Sequence, residues 1–255
     1  MAEHAPGTRL LERPQGSEWN LAGAEMWHAG TYGGLPVHAD STEVHERALE
    51  LLQRHASRRD RVLDVGAGAG AFTRRLLVHG FGAVEAIEIR REAFLVPGVP
   101  VHALDLNGAW ADQLPARFDA LVALEVIEHL ENPWHFARQC ASAVRPGGWA
   151  IVSTPNIESS RSRIEFLLRA EFRFFGARDF EKVGHITSLT SSQLGRVFAQ
   201  AGLDHVERRF SRHKGMPRPG NPKRVLRALL YALSYPFMAG TKRGEESIFA
   251  FRRAA

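Results

Sequence analysis

The stretch Arg61-Val-Leu-Asp-Val-Gly-Ala-Gly-Ala-Gly-Ala-Phe72 constrains the fold more than any other part of this 255-residue chain. Val62, Leu63 and Val65 read as a buried strand that breaks into a glycine-rich turn and restarts as a helix over 71–78. Glycine has no Cβ and accepts φ > 0, so such a turn lets backbone approach a nucleoside-bearing ligand closely. Gly66, Gly68 and Ala71 also satisfy a dinucleotide-binding pattern. Asp64 argues against that ligand: a carboxylate aimed at the loop repels a diphosphate and favours a cation.

The rest of the chain continues the alternation. Strands are predicted over 83–88, 101–105, 118–124 and 149–154, with Pro146-Gly147-Gly148 as the tight turn into the last. Helices are predicted over 41–56, 71–78, 134–144 and 191–201. In the first of these Val44, Ala48, Leu51 and Leu52 form one stripe, and Ser41-Thr-Glu-Val44 reads as a capping box. Strands over 206–210 and 247–251 close the pattern. This order predicts an α/β fold, a mostly parallel sheet with helices on both faces, which binds ligands at the carboxyl ends of its strands.

The run Asp64-x-Gly66-x-Gly68-x-Gly70, followed by acids at the ends of the next two strands, resembles class I S-adenosylmethionine-dependent methyltransferases. That resemblance implies a Rossmann-like, mostly parallel seven-stranded sheet with an antiparallel edge strand. S-adenosylmethionine carries an ammonium and a sulfonium and no phosphate, which suits Asp64. Glu88 stands where the family binds the ribose hydroxyls, and Asp105 where it binds the adenine amino group. With Gly66, Ala67, Gly68, Gly70, Ile89, Leu106, Leu124 and Glu125, these acids make up the expected cofactor site.

Length suits one α/β domain with additions. The expected division is a tail and lid over 1–40, a cofactor-binding core over 41–212, and a basic, apolar extension over 213–255 that ends in the final strand. Residues 1–16 lack a basic-then-apolar leader pattern, and no apolar run reaches the roughly 18 residues of a spanning helix. The single cysteine, Cys140, cannot form an internal disulfide and reads as a small core residue. A cytoplasmic bacterial enzyme is expected. The net charge of +5 is concentrated at Arg208, Arg209, Arg212, Lys214, Arg218, Lys223, Arg224 and Arg227, and again near the end of the chain. It fits a solvated surface or a contact with anionic lipid or RNA.

Residues 160–181 and 225–238 interrupt the minimal pattern. In the first, Ile164, Leu167, Leu168, Phe172 and Phe175 fall at helical spacing; the second is apolar and is kinked or ended by Pro236. Either can pack on the domain, cover the substrate or lie on a membrane surface. Trp27, His28 and Tyr32 are candidates to close over the ligand from the N-terminal side.

In Glu125-x-x-Glu128-His129, a helical turn would put all three side chains on one face, as a hard-cation or zinc-type cluster; His185 could add a fourth ligand. The motif is similar to that of ubiquinone-biosynthesis O-methyltransferases, whose resemblance implies a divalent metal such as Mg2+ and a membrane-contacting insertion at 160–181. It also resembles small-RNA 2′-O-methyltransferases, although Ile-Thr-Ser-Leu after His185 departs from their pattern. His129 and His185 are the candidate catalytic residues, as bases or metal ligands. The expected activity is O-methylation of a small-molecule acceptor, such as a quinone precursor or glycan. Metal-dependent RNA methylation is the alternative, and a binding domain without turnover a third reading.

Overall fold

The computed structural model describes residues 29–57, 59–212, 222–240 and 242–255. The chain enters through a hairpin, β1 (Gly30–Tyr32) and β2 (Leu35–Val37), and then α1 (Glu43–His55). The predicted capping box does not form: Ser41 Oγ accepts the N–H of Glu43, and Thr42 caps without a side-chain bond. The stripe does bury, with Val44, Ala48, Leu51 and Leu52 all at 0% exposure, each large side chain contributing about 1.5–3 kcal/mol.

The main sheet uses β3 (Arg61–Val65), β4 (Ala83–Ile87), β5 (Val101–His102), β6 (Phe118–Ala123), β7 (Val144–Pro155), β8 (Leu203–Phe210) and β9 (Glu246–Arg253). Their spatial order is β5-β4-β3-β6-β7-β9-β8. β3 to β7 pair in parallel, while β9 runs antiparallel to both neighbours and forms the reversed pair at the edge with β8. The sheet is therefore the mostly parallel, seven-stranded arrangement that the sequence predicts.

β5 is shorter than expected. It ends at His102, so Asp105 lies on the following exposed loop, where its Oδ1 accepts the N–H of Asn107. β7 begins earlier than expected, because Pro146-Gly147-Gly148 forms an irregularity within its pairing to β6. Gly148 is obligatory there: a Cβ would stand 2.6 Å from the Asp119 carbonyl.

Period-2 alternation sends Leu63 and Val65 into one core and Val62 into the other. The first core joins the sheet to α3 (Pro133–Ala143) and α6 (Ser191–Gln200), and holds Phe136, Cys140 and Phe198. Burial pushes the Cys140 thiol far up, as for a packing residue. The second core joins it to α1, α2 (Ala71–Val78) and the hairpin, through Leu35 and Val37. Both cores leave the carboxyl ends of β3 and β6 facing the same side, next to the loops that follow them.

The 160–181 segment is two helices and not one. α4 (Ser160–Arg169) ends where Ala170 takes φ 57, and α5 (Ala177–Val183) begins after a turn in which Phe174 takes φ 69. Ile164 is buried, Phe166 and Phe172 stack at 4.5 Å, and Leu167 is 67% exposed. α7 (Pro222–Ser234) gives way at Pro236 to a short 3-10 turn over Tyr235–Phe237. Among the described residues no helix is long and apolar enough to cross a membrane.

Candidate active site

The glycine turn is built as its sequence demands. Gly66, Gly68 and Gly70 take φ 70, 55 and 86, the left-handed region that other residues avoid. Space is equally tight: a Cβ on Gly66 would lie 2.6 Å from Val126 Cγ2, and one on Gly70 2.6 Å from Val96 Cγ2. Two loop amides, Gly66 N–H and Ala67 N–H, donate to the Ile87 carbonyl. Glu88 braces the same turn, its Oε2 accepting from Gly68 N–H at 2.9 Å and its Oε1 from Arg90 N–H at 3.0 Å.

A cleft opens beside this turn. Of the predicted cofactor residues, Asp64, Gly66, Ala67 and Leu124 line it. Asp64 is buried and accepts from Thr73 Oγ1 at 2.6 Å. Burial, with the nearby Glu88, pushes its carboxyl up to about 6 against the opposing Thr73 bond. A cationic ligand in the cleft would relieve that penalty. Glu88 is buried behind the turn, Ile89 is half exposed, and Asp105 and Leu106 lie on the loop after β5.

Three lining residues escaped sequence reasoning. Pro36 and His38 arrive from the hairpin, and His45 from α1. A Cβ on Gly68 would stand 3.1 Å from His38 Cδ2, so the hairpin closes directly over the glycine turn. His45 is buried against Phe72 and held neutral, near 3, by burial and by Arg75 and His38. The only prior signal was the sequence position of these histidines before the first strand of the sheet. Tyr32 does not line the cleft: the Arg75 guanidinium covers its ring at 4.0 Å. Trp27 and His28 lie outside the described residues.

The segment after β6 corrects the expected helical face. Only Ile127–His129 forms a 3-10 turn, and Glu125 precedes it with φ 54. Glu125 turns to β7, its N–H donating to Ser153 Oγ at 2.9 Å while that hydroxyl donates back to Oε1 at 2.6 Å. It therefore does not join the other three. Glu128, His129 and His185 do come together, with ligand atoms all within 4.8 Å of one another. The bridge is backbone: Ile186 and Thr187 N–H both donate to the Glu128 carbonyl at 2.9 Å.

The ring orientations suit an electrophile. His129 Nδ1 donates to the Gly184 carbonyl at 3.2 Å, and His185 Nδ1 to the Phe174 carbonyl at 2.7 Å. A carbonyl only accepts, so both Nε2 atoms keep a lone pair when the rings are neutral. Burial holds both rings below the usual histidine range, His129 at about 4. Both Glu128 oxygens are buried without a hydrogen-bond partner. Burial pushes the Glu128 carboxyl up to about 8, a penalty that a bound cation would relieve, so two imidazoles with lone pairs and this carboxyl form a donor set that fits a divalent metal.

A further carboxyl was missed. Glu246, at the start of β9, is fully buried and bonded to Ser211 Oγ, and burial together with Glu125 pushes it up to about 9. Its distance in sequence from Glu125 left no local signal.

A family model described as a methyltransferase domain matches residues 38–208, and the chain belongs to that family. It is an S-adenosylmethionine-dependent methyltransferase, and that compound is its methyl donor. More particularly, it is similar to the ubiquinone biosynthesis O-methyltransferase of Chromobacterium violaceum, 29% identical over 181 residues, covering 66% of this chain and 73% of that protein. The Nitrosospira multiformis protein of the same name is 29% identical over 199 residues, covering 72% and 78%. In fold, the chain matches an S-adenosylmethionine-dependent methyltransferase from Archaeoglobus fulgidus with TM-score 0.58 at 16% identity, covering 83% of this chain and 93% of that one.

Proposed function

We propose that this enzyme O-methylates a small, lipid-soluble hydroxyl acceptor of the quinone-precursor type, beside a divalent cation held by Glu128, His129 and His185. The observation that carries the proposal is the pair of half-buried, neutral imidazoles with Nδ1 committed to backbone carbonyls, next to a fully buried carboxyl. The names of the curated relatives support a hydroxyl acceptor. Two imidazoles and one carboxylate favour a zinc-like or manganese-like ion over Mg2+, which prefers oxygen ligands.

In this reading Asp64 faces the cationic part of the methyl donor, while Glu88 and Asp105 serve its adenosine. The glycine turn lets the donor approach backbone, and His38 covers it. The reaction is an in-line displacement: a carbon–oxygen bond forms, the carbon–sulfur bond breaks, and the hydroxyl proton must leave. A divalent cation in the cluster would supply a Lewis acid that lowers the hydroxyl pKa. His129 and His185 orient it and exclude water, and without it either Nε2 can accept the proton.

Acceptor access is assigned to the lipid surface. From Ser211 to Gly244 the chain has eight Lys or Arg and no Asp or Glu. Within that span Leu226, Leu229, Leu233 and Phe237 are 51%, 55%, 71% and 88% exposed. Exposed leucines within a basic, acid-free segment suit an anionic lipid surface better than RNA, which offers phosphates but no apolar phase. α7 meets α4, whose Leu167 extends the same apolar character.

The test is transfer of a labelled methyl group from S-adenosylmethionine into a fractionated cell extract, with and without a chelator. Label in the lipid-soluble fraction that disappears with chelator is expected. Label in RNA, or chelator-insensitive label, overturns the acceptor or the cation assignment respectively.

A further inference from the structure

Within the insertion between β7 and α6, one side chain ties the turn between α4 and α5 to the sheet. Arg173 lies in the turn between α4 and α5. Its Nε donates to Glu245 Oε2 at 2.6 Å, and the Glu245 side chain is 2% exposed. Its N–H donates to Ser162 Oγ at 3.1 Å, inside α4, and its guanidinium sits 4.5 Å from the Phe174 ring centroid. Glu165 also approaches Arg173, at 3.7 Å, and Arg161 approaches Glu245 at 3.6 Å. Glu245 in turn immediately precedes β9 and its carbonyl accepts from Asn156 N–H at 2.7 Å, which anchors it to the end of β7. The turn is thus clamped to the sheet by a charge-assisted bond whose carboxylate is buried and whose guanidinium is part-exposed.

The next residue is what the clamp holds. Phe174 has φ 69, a conformation that a bulky side chain adopts only when its surroundings impose it. In that conformation its carbonyl receives His185 Nδ1–H at 2.7 Å. The Phe175 ring, 5.5 Å from His185, packs on the same imidazole. A relaxed turn would move the carbonyl away, and a neutral imidazole without it is free to protonate at Nε2. That tautomer has no lone pair toward Glu128 and His129.

We infer that Arg173, held by Glu245, is a positioning residue that fixes His185 in the Nδ1–H tautomer through the Phe174 carbonyl. The ligand chemistry of His185 rests on the cation site proposed above; the tautomer does not. Partners behind a metal-binding histidine set its ring orientation, and their loss costs about 10- to 100-fold in metal affinity. Arg173 does not line the cleft beside the glycine turn, and its link to the cluster runs through the Phe174 carbonyl to His185.

The experiment uses the full chain, metal-free, with 15N-labelled histidine. Long-range 1H–15N spectra near pH 7.5 report which ring nitrogen of His185 carries the proton, with His185→Asn giving the assignment. The wild type is expected to show Nδ1–H alone. R173A and E245Q are expected to show mixed or Nε2–H signals. Zn2+ affinity by calorimetry should fall about 10- to 100-fold in both, and S-adenosylhomocysteine affinity should stay within about twofold. Should R173A not fold, E245Q, which keeps the shape of its side chain, carries the test. An unchanged Nδ1–H tautomer in a folded variant overturns the inference. A wild type that shows Nδ1–H but binds no Zn2+ overturns the cation site and leaves the positioning role standing.

Discussion

Asp64 sits where the glycine turn meets the cleft. It is buried, bonded to Thr73, and titrates at about 6 because burial outweighs that bond. If its charged form faces the cationic donor, as proposed, binding should weaken as pH falls through about 6. Calorimetric titration of S-adenosylmethionine across pH 5–8 should show this midpoint. Asp64→Asn should remove the pH dependence and weaken binding by about 10-fold or more, the usual worth of a charged contact. In T73V, which deletes the opposing bond, the midpoint should move upward. Glu128→Gln tests the second cluster: it keeps the volume but weakens a ligand, and it should abolish chelator-sensitive turnover while S-adenosylmethionine binding persists. The place of Asp64 could be read directly from the sequence, because strand period and glycine turn are both local. Glu125 could not. Its spacing to Glu128 and His129 is right for a helix, but the chain makes a left-handed step there and gives its carboxyl to Ser153.

The elements differ in how much local pattern decides them. α1 and α6 follow their apolar stripes, and α6 forms the capping box between Thr190 and Gln193. The 160–181 stripe is equally periodic, yet the chain turns twice inside it, since Arg173 has a buried partner outside the segment. α7 keeps the stripe but leaves it exposed, and the spacing of apolar residues is the same whether their face is covered or open. If that face lies on lipid, L229E/L233E should bind vesicles of mixed anionic and neutral lipid at least about 10-fold more weakly, because each buried leucine is worth about 1.5–3 kcal/mol. Co-sedimentation measures this; equal binding of wild type and variant would remove α7 from the membrane contact. The glycine turn admits a sharper test. Gly70→Ala places a methyl in a residue at φ 86 and 2.6 Å from Val96 Cγ2, and should cost about 1–3 kcal/mol, read as a lower unfolding midpoint in urea.

Across the whole molecule, buried titratable groups limit stability from both sides. Glu246 and Glu128 titrate at about 9 and about 8 in the fold, above the roughly 4.3 of an unfolded glutamate. The folded state therefore holds the extra protons, and their stabilisation, complete below about pH 4.3, is lost as pH rises toward about 8–9, at up to about 1.4 kcal/mol per pH unit per group. His45 and His129 act oppositely: neutral in the fold to about 3 and about 4, they lose stability as pH falls below about 6.5. Thermal unfolding of the metal-free protein should become easier toward alkaline pH, and Glu246→Gln should flatten that limb. An unchanged slope in that variant would mean that Glu246 is not the group responsible.

The sequence alone determined the strand–turn–helix at 61–78, the alternation that builds the sheet, and the acids at the ends of β3 and β4, because periodicity and turn chemistry act within a few residues. Tertiary structure decided which polar groups meet. It brought His185 to Glu128 through two backbone bonds, set Glu246 near Glu125, laid His38 over Gly68, and shut Arg173 onto Glu245. Such meetings depend on strand order and on the path of the connections, and neither leaves a mark on the residues next in the chain.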